Sequence, residues 1–323
     1  MRLVQLDDIY EPIWRDLQEI EQELKAVIDV DIPILLQLLD YVLESSGKRI
    51  RPAITLFAGK FYYYDLDLLV PAAAAVELLH TATLVHDDIV DDSAQRHSKT
   101  TINYLRGKTS AVLLGDYLLG RAAHLATATE NIRVLRLFSR AAMTISSGEL
   151  MHSISSYDLE QARKNYFHWI SAKTACLFST AAESGATLSQ APEEAIQSLQ
   201  NYGYNLGMAF QVVDDVLDLT GEEAELGKPL GSDLSQGILT LPIILFLERY
   251  PGDVVIKKAL GGNDAADIKS AIDRICQSFA IEDCLDIASD FCQQACQALQ
   301  NLPCQSLQSR MIDLAHYVIQ RRR

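Results

Sequence analysis

Acidic residues are set out twice in the same unusual way. The run His86-Asp87-Asp88-Ile89-Val90-Asp91-Asp92 puts carboxylates at i, i+1 and i+4. Far downstream, Gln211-Val212-Val213-Asp214-Asp215-Val216-Leu217-Asp218 repeats the arrangement. At about 100° per residue, positions i and i+4 lie about 40° apart on one helix face. Like charges at that spacing repel and weaken a helix, yet both runs are otherwise apolar and helix-forming. Two such clusters demand something cationic between them, and hard divalent cations with oxygen ligands are the matching chemistry.

Other polar groups complement the acids. His80 precedes Asp87 by seven residues, which places it within about 20° of the same face, with Thr83 between them. Taken alone, such a histidine reads as a satisfied core residue; below a metal cluster it becomes a hydrogen-bond donor to an anion. Gly47-Lys48-Arg49-Ile50-Arg51-Pro52 brings Lys48 and Arg51 to the start of a helix, where free amides also favour a phosphate. Standing alone, that stretch reads as a solvated basic turn. Arg96, Lys173 and Lys228 each fall close to a turn or helix end. Lysine, arginine and metal-bridged aspartate together make a clamp for a departing diphosphate.

Long helices must position these groups. Helical periodicity runs from end to end and no strict alternation competes with it. The expected helices cover about 8–28, 33–45, a third near Pro52, and a long one with Pro71 in its first turn that carries the first acid cluster. After a polar break at 93–108 come 109–127, 133–154, 157–186 and 193–219. The glycine- and acid-rich stretch 220–236 reads as a loop, followed by shorter helices to 320. An all-α fold is expected, one large bundle spanning 1–323 as a single domain.

Composition narrows the function. The 323 residues are 49% hydrophobic and 22% charged, with 16 Gly and 9 Pro, which argues against disorder or an all-β fold. A net charge of −15 argues against a nucleic-acid partner, which calls for a basic face. Metals or local Lys and Arg can still reverse the field for an anionic substrate. Cys176, Cys276, Cys284, Cys292, Cys296 and Cys304 follow no metal spacing and are expected as reduced thiols in the core. Phe61-Tyr62-Tyr63-Tyr64, Met143 and Met151 are expected in the core, with a cavity floor or an interface as the alternative. No leader signal is read at the N-terminus. The most apolar stretches, 70–85 and 238–247, fall short of the roughly 18 residues a membrane span needs, so a soluble, cytoplasmic protein without a transmembrane segment is expected.

The segments GKRIRP, ELLHTATLVHDDIVDD, AVLLGDYLL, Lys173-Thr174-Ala175, FQVVDDVLD and GKPLGSDLSQGILTLP occur in the order that resembles the trans-isoprenyl (polyprenyl) diphosphate synthases. The two DDxxD motifs begin at Asp87 and Asp214. The resemblance implies an isoprenoid synthase fold, a bundle of antiparallel helices around a central cavity, as a homodimer. It implies that Asp87, Asp88, Asp91, Asp214, Asp215 and Asp218 hold three Mg²⁺ ions against an allylic diphosphate. Arg96, Lys173 and Lys228 match positions that bind this diphosphate, while Lys48, Arg51 and His80 match the pocket for isopentenyl diphosphate. Thr174 and Gln211 match polar residues near the developing carbocation; because water must be kept from that cation, the loop 220–236 with Lys228 on it is expected to act as a lid. The reaction implied is ionisation, condensation and elimination, with transient membrane contact when the lipid product leaves.

Thr83 and Ala82 stand four and five positions before Asp87, where short-chain members of the family it resembles often carry bulky aromatics. By that resemblance, small residues imply a deeper cavity floor and a long product, of the octaprenyl or solanesyl kind. The chain departs from the pattern at Arg96-His97-Ser98-Lys99-Thr100-Thr101, where a second arginine is usual in place of His97. A neutral imidazole is a poor substitute for a guanidinium fork. Ser46, His152 and Ile238 are lesser departures. A regulatory subunit of a heteromeric synthase and a terpene cyclase are the competing readings; intact acid triplets oppose the first, and the Lys48–Arg51 pocket opposes the second.

Overall fold

The computed structural model describes residues 5–44, 47–96, 99–154, 159–221, 229–262 and 264–320. Its helices are α1 (Leu6–Tyr10), α2 (Trp14–Ala26), α3 (Pro33–Leu43), α4 (Ile50–Lys60), α5 (Leu66–Val90), α6 (Ile102–Arg106), α7 (Lys108–Ala128), α8 (Ile132–Ile154) and α9 (Leu159–Ile170). They continue as α10 (Cys176–Leu188), α11 (Glu193–Thr220), α12 (Ser232–Ser235), α13 (Leu241–Arg249), α14 (Val254–Leu260), α15 (Ala265–Cys276), α16 (Ala280–Ala298) and α17 (Gln305–Gln320). β1 (Gln95–Arg96) and β2 (Lys99–Thr100) pair antiparallel as a two-stranded sheet.

Helix α5 is the spine because it is apolar nearly all round, the pattern of a helix packed on every side. Leu69, Ala73, Leu78 and Ala82 are almost fully buried on it, and α2, α4, α7 and α10 pack against it. By length and composition alone it could cross a membrane, but 67% of its most apolar window is buried inside this fold. Helix α11 is the second organiser. Its first half, through Leu199, Tyr202 and Leu206, joins the core built on α4, α5, α7 and α10. Its second half, through Val212, Val213 and Val216, joins a core with α9, α13, α15 and α16.

Several expectations change. Helix α5 starts at Leu66, capped by the Asp65 carboxylate, so Pro71 lies inside it rather than in its first turn. Proline there removes the amide that would bond the Asp67 carbonyl, and surrounding packing keeps the helix intact. The polar break 93–108 holds β1, β2 and α6. The single helix expected over 157–186 is interrupted by the π-helical turn Ser171–Ala175. Met143 and Met151 are not core residues: they are 66% and 55% exposed. Tyr63 also faces out, whereas Phe61 is buried as expected. Cys284 and Cys292 are buried, but Cys276 and Cys304 are exposed; all six thiols are free.

Glycine lets α10 lie close to α4. A Cβ at Gly185 would stand 2.1 Å from the Thr55 carbonyl oxygen, and backbone cannot yield as a side-chain tip can. Gly185→Ala is therefore expected to destabilise the fold by about 3 kcal/mol, the upper range for overpacking, read from denaturant midpoints. A loss below about 0.5 kcal/mol would mean that α4 and α10 part freely, contrary to tight core packing.

Candidate functional site

The π turn Ser171–Ala175 is the meeting point. Gly148 of α8 approaches it from one side, where an added Cβ would lie 2.4 Å from the Ala172 Cβ; Gly207 of α11 approaches from the other, where it would lie 2.6 Å from the Ala175 Cα. Both helices therefore come closer to the turn than any side chain would allow. A π turn is a locally widened helix, common where a functional side chain must be re-aimed. Here it presents Lys173 and Thr174 in succession.

Lys173 faces the first acid cluster. Its Nζ lies 3.0 Å from Glu149 Oε1 and 3.6 Å from Asp87 Oδ2. Thr174 faces the second cluster: its hydroxyl donates to Gln211 Oε1 at 2.6 Å, and Gln211 Nε2 donates to Asp215 Oδ1 at 2.9 Å. The register on α11 is simple. Gly203, Gly207, Gln211 and Asp215 follow at four-residue steps and so share one face. Glycine brings that face to the π turn, and the next residues along it bring the polar groups.

The acids are held in an environment that disfavours their charge. Burial pushes the Asp87 carboxyl above its usual range, against the pull of Lys173. Asp91, which ends α5, is raised by burial, with Glu149 and Asp233 adding repulsion. Asp88, 7% exposed, turns to Arg96, whose Nε donates to its Oδ1 at 2.7 Å; burial raises it too. Asp215 is held well above the carboxylate range by burial and by the charge of Asp233, although Tyr166 Oη donates to its Oδ2 at 2.6 Å. Asp218 is buried and accepts from the Asp233 amide at 3.3 Å. Asp233 thus bears on Asp91 and on Asp215, which places the ends of α5 and α11 around one shared acidic region. Lys173 stays charged: burial lowers its pKa, but Asp87 and Glu149 more than reverse this.

Desolvated, mutually repelling carboxylates with a lysine at their edge fit a divalent cation. Among the described residues, no three His, Cys, Asp or Glu side chains make a closed cage on their own. An ion held here would complete its shell with ligand oxygens and water.

The remaining candidates form a second group. Arg51 lies with its guanidinium carbon 4.6 Å from the Phe178 ring centroid, and its Nε is buried without a hydrogen-bond partner among the described residues. Burial pushes its pKa down to about 10, opposed by Glu77, Cys176 and Asp214; it remains a cation at neutral pH. Lys48 is exposed, 5.5 Å above the Tyr317 ring. His80 is half-buried on α5, and its carbonyl accepts from the Thr83 hydroxyl at 2.7 Å. Arg49, between Lys48 and Ile50, serves the fold: at φ 50° it starts α4 and pairs with Glu21 and with Glu77, the latter at 2.9 Å. Lys228, His97 and Ser46 lie outside the described residues.

Four residues at the site were not singled out from the sequence. Glu149 and Trp169 surround Lys173, Tyr166 binds Asp215, and Asp233 acts between the two acid clusters. Only Asp233, inside GKPLGSDLSQG, carried a sequence signal. The others are residues of ordinary type on helices. Tyr166, Trp169 and Lys173 share a face at i, i+3 and i+7, but an aromatic stripe at that spacing reads as core, and nothing local links it to Glu149 or Asp215.

Known proteins match the whole chain. The polyprenyl synthetase family model matches residues 32–275. A prenyl transferase from Synechocystis sp. is 32% identical over 99% of both chains. The octaprenyl diphosphate synthase of Escherichia coli is 33% identical over 98% of this chain and 99% of its own. Among solved structures, the polyprenyl synthase of Caulobacter crescentus, crystallised with calcium and isoprenyl diphosphate, superposes with a TM-score of 0.95 at 33% identity over 100% of both chains.

Proposed function

The chain belongs to the polyprenyl synthetase family and is a trans-prenyltransferase of isoprenoid synthase fold that makes a long-chain polyprenyl diphosphate; from this we propose that it joins isopentenyl diphosphate to an allylic diphosphate at the π turn between its two aspartate clusters. The carrying observation is the contact chain Asp87–Lys173, Thr174–Gln211–Asp215, which ties both clusters to adjacent residues of one turn. Neither competing reading, regulatory subunit or cyclase, gains support from the relatives.

Divalent metal fits the carboxylates. Asp87, Asp91 and Asp214 would take Mg²⁺ directly, three ions per site, with Asp88, Asp215 and Asp218 completing the two DDxxD motifs around them. Bound metal supplies neutralisation of diphosphate oxygens, which eases departure of the leaving group. Lys173 and Arg96 hold the allylic diphosphate and stabilise the charge that gathers on it as the allylic C–O bond breaks. Thr174 and Gln211 offer oxygen dipoles to the allylic cation without a nucleophile strong enough to trap it. Lys48, Arg51 and His80 anchor isopentenyl diphosphate, whose C4 forms the new C–C bond. The proton lost from C2 goes to the departed diphosphate. Lys228, which lies outside the described residues, would add its charge to the clamp, and water must be kept from the site because it would quench the cation.

A homodimer accounts for the outward apolar residues Leu113 of α7 and Ile132, Met143 and Leu150 of α8, each more than 60% exposed. Exposed apolar patches of that kind mark interfaces. The reading is completed by a single-domain, soluble, cytoplasmic enzyme that meets a membrane only to release product.

The test is incubation of purified protein with Mg²⁺, radiolabelled isopentenyl diphosphate and five-, ten-, fifteen- or twenty-carbon allylic primers, with products sized by chromatography. Incorporation is expected; folded protein that uses no primer overturns the reading.

Metal binding also makes a thermal prediction. Asp87, Asp88, Asp91 and Asp215 have raised folded pKa values. Between the ordinary carboxylate value and the raised one, the folded state holds more protons than the unfolded. This contribution to stability is therefore present at low pH and lost as pH rises through the raised values. A divalent ion at about 100 times its Kd stabilises by about 2.7 kcal/mol, roughly 5 °C for a domain of this size. Added Mg²⁺ should raise Tm more at neutral pH than in acid, where protons compete for the raised carboxylates. Equal shifts at both pH values would separate these carboxylates from the metal.

A further inference from the structure

Lys173 does not stand alone in its corner. Trp169, 7% exposed, lies one turn before it on the end of α9. The indole Nε1 donates to Glu149 Oε1 at 3.0 Å, and the same oxygen is 3.0 Å from Lys173 Nζ. Lys173 Nζ is also 5.2 Å from the indole centroid, within cation–π range. The His152 ring stacks on the indole at 4.0 Å and 11°, so the indole plane is fixed by a second aromatic from α8. One carboxylate oxygen therefore joins an indole donor and a lysine ammonium, while the ring beneath attracts the same ammonium.

We propose that Trp169 and Glu149 are positioning residues that set where the Lys173 ammonium stands. The inference rests on the reading of Lys173 as an allylic-diphosphate ligand. Lys173 carries a flexible four-carbon stem and has two carboxylates in reach, Glu149 and Asp87. A lysine free to collapse onto Asp87 would neutralise a metal-binding carboxylate rather than a diphosphate oxygen. The indole N–H takes one lone pair of Glu149 and holds that carboxylate in a single orientation. Lys173 is thereby held at 3.0 Å from Glu149 and kept to 3.6 Å from Asp87. When diphosphate arrives, the ammonium needs only to leave a shared oxygen and a ring face, both already on the clamp side of the turn. Trp169 touches no substrate in this scheme.

The test uses full-length protein with saturating Mg²⁺ and measures kcat and KM separately for the allylic and isopentenyl substrates. Trp169→Phe keeps a ring and removes the Nε1 donor; it is expected to raise the allylic KM about fivefold, the effect of one hydrogen bond. The isopentenyl KM should stay unchanged. Glu149→Ala should do the same, with Glu149→Gln recovering part of the loss because its amide oxygen still accepts from the indole. Lys173→Met should raise the allylic KM further. If Lys173→Met raises it and Trp169→Phe does not, the positioning role is overturned. If Lys173→Met leaves it unchanged, the reading of Lys173 itself fails. Should Trp169→Phe not fold, Trp14→Phe leaves Trp169 as the single indole in a chain with two tryptophans. Inorganic diphosphate with Mg²⁺ should then shift its emission as the ammonium leaves the ring. An unchanged emission at saturation overturns the proposal.

Discussion

Asp87→Asn is expected to lower kcat by about 10³-fold, about 4 kcal/mol at roughly 1.4 kcal/mol per tenfold, without weakening the metal-free fold. The two halves of this result come from the same physics. Asp87 is pushed above the carboxylate range by burial, and Lys173 only partly offsets it. Removing the charge relieves a desolvation penalty and the repulsion that Asp87 exerts on Asp88, so Tm without divalent ions should be unchanged or higher. With Mg²⁺ present, the variant should lose most of the metal-induced rise in Tm. Asparagine keeps the volume and one oxygen, so a packing explanation of the kinetic loss is excluded. The measurement is single-turnover condensation beside paired melting curves. A variant that keeps more than about a tenth of wild-type kcat takes Asp87 out of the metal site.

Ala82→Phe is expected to move the product distribution from long-chain to short-chain diphosphates. Ala82 lies five residues before Asp87 on α5 and is 2% exposed, while Thr83 beside it is half-buried and bonded to the His80 carbonyl. On the proposed function, the growing isoprenoid chain runs back from the diphosphate along this helix. An aromatic ring one turn behind the metal ligands would meet it after a few condensations. Overpacking there costs about 1–3 kcal/mol, so Tm should fall by several degrees while the first condensations proceed. Chromatography of products from a fifteen-carbon primer checks this, and an unchanged long-chain distribution would place the floor elsewhere. Gly185→Ala tests the packing separately and is expected to alter stability with product length preserved.

Much of the molecule is legible before folding. Both acid clusters show in the sequence because i, i+1, i+4 acids in an apolar run conflict with ordinary helix design. Helix periodicity gives the all-α class, since most of the segments carry a 3.6-residue repeat of their own and α5 and α7, apolar on most sides, are too long for strands. The ordered set of motifs brings the family, and the comparisons bear it out over the full chain. Errors gather where a local rule meets a tertiary one. Pro71 looked like a helix start because proline favours the first turn, but Asp65 capped the helix earlier. Met143 and Met151 looked like core residues because methionine usually is; their helix face turns outward.

What the sequence by itself determined, then, is the chemistry available: two aspartate triplets, their cations, and the helices that carry them. Only the tertiary structure decided how the six aspartates divide. Asp88 turns to Arg96 and Asp215 to Tyr166 and Gln211, while Lys173 bridges Asp87 and Glu149. The reason is geometric. Residues such as Glu149, Tyr166 and Trp169 acquire their roles through contacts 20 to 49 positions away in sequence or across a π turn. Helical spacing encodes which residues share a face, but not which face another helix will meet. At the π turn that choice falls to Gly148 and Gly207, whose missing side chains let α8 and α11 close on Lys173 and Thr174.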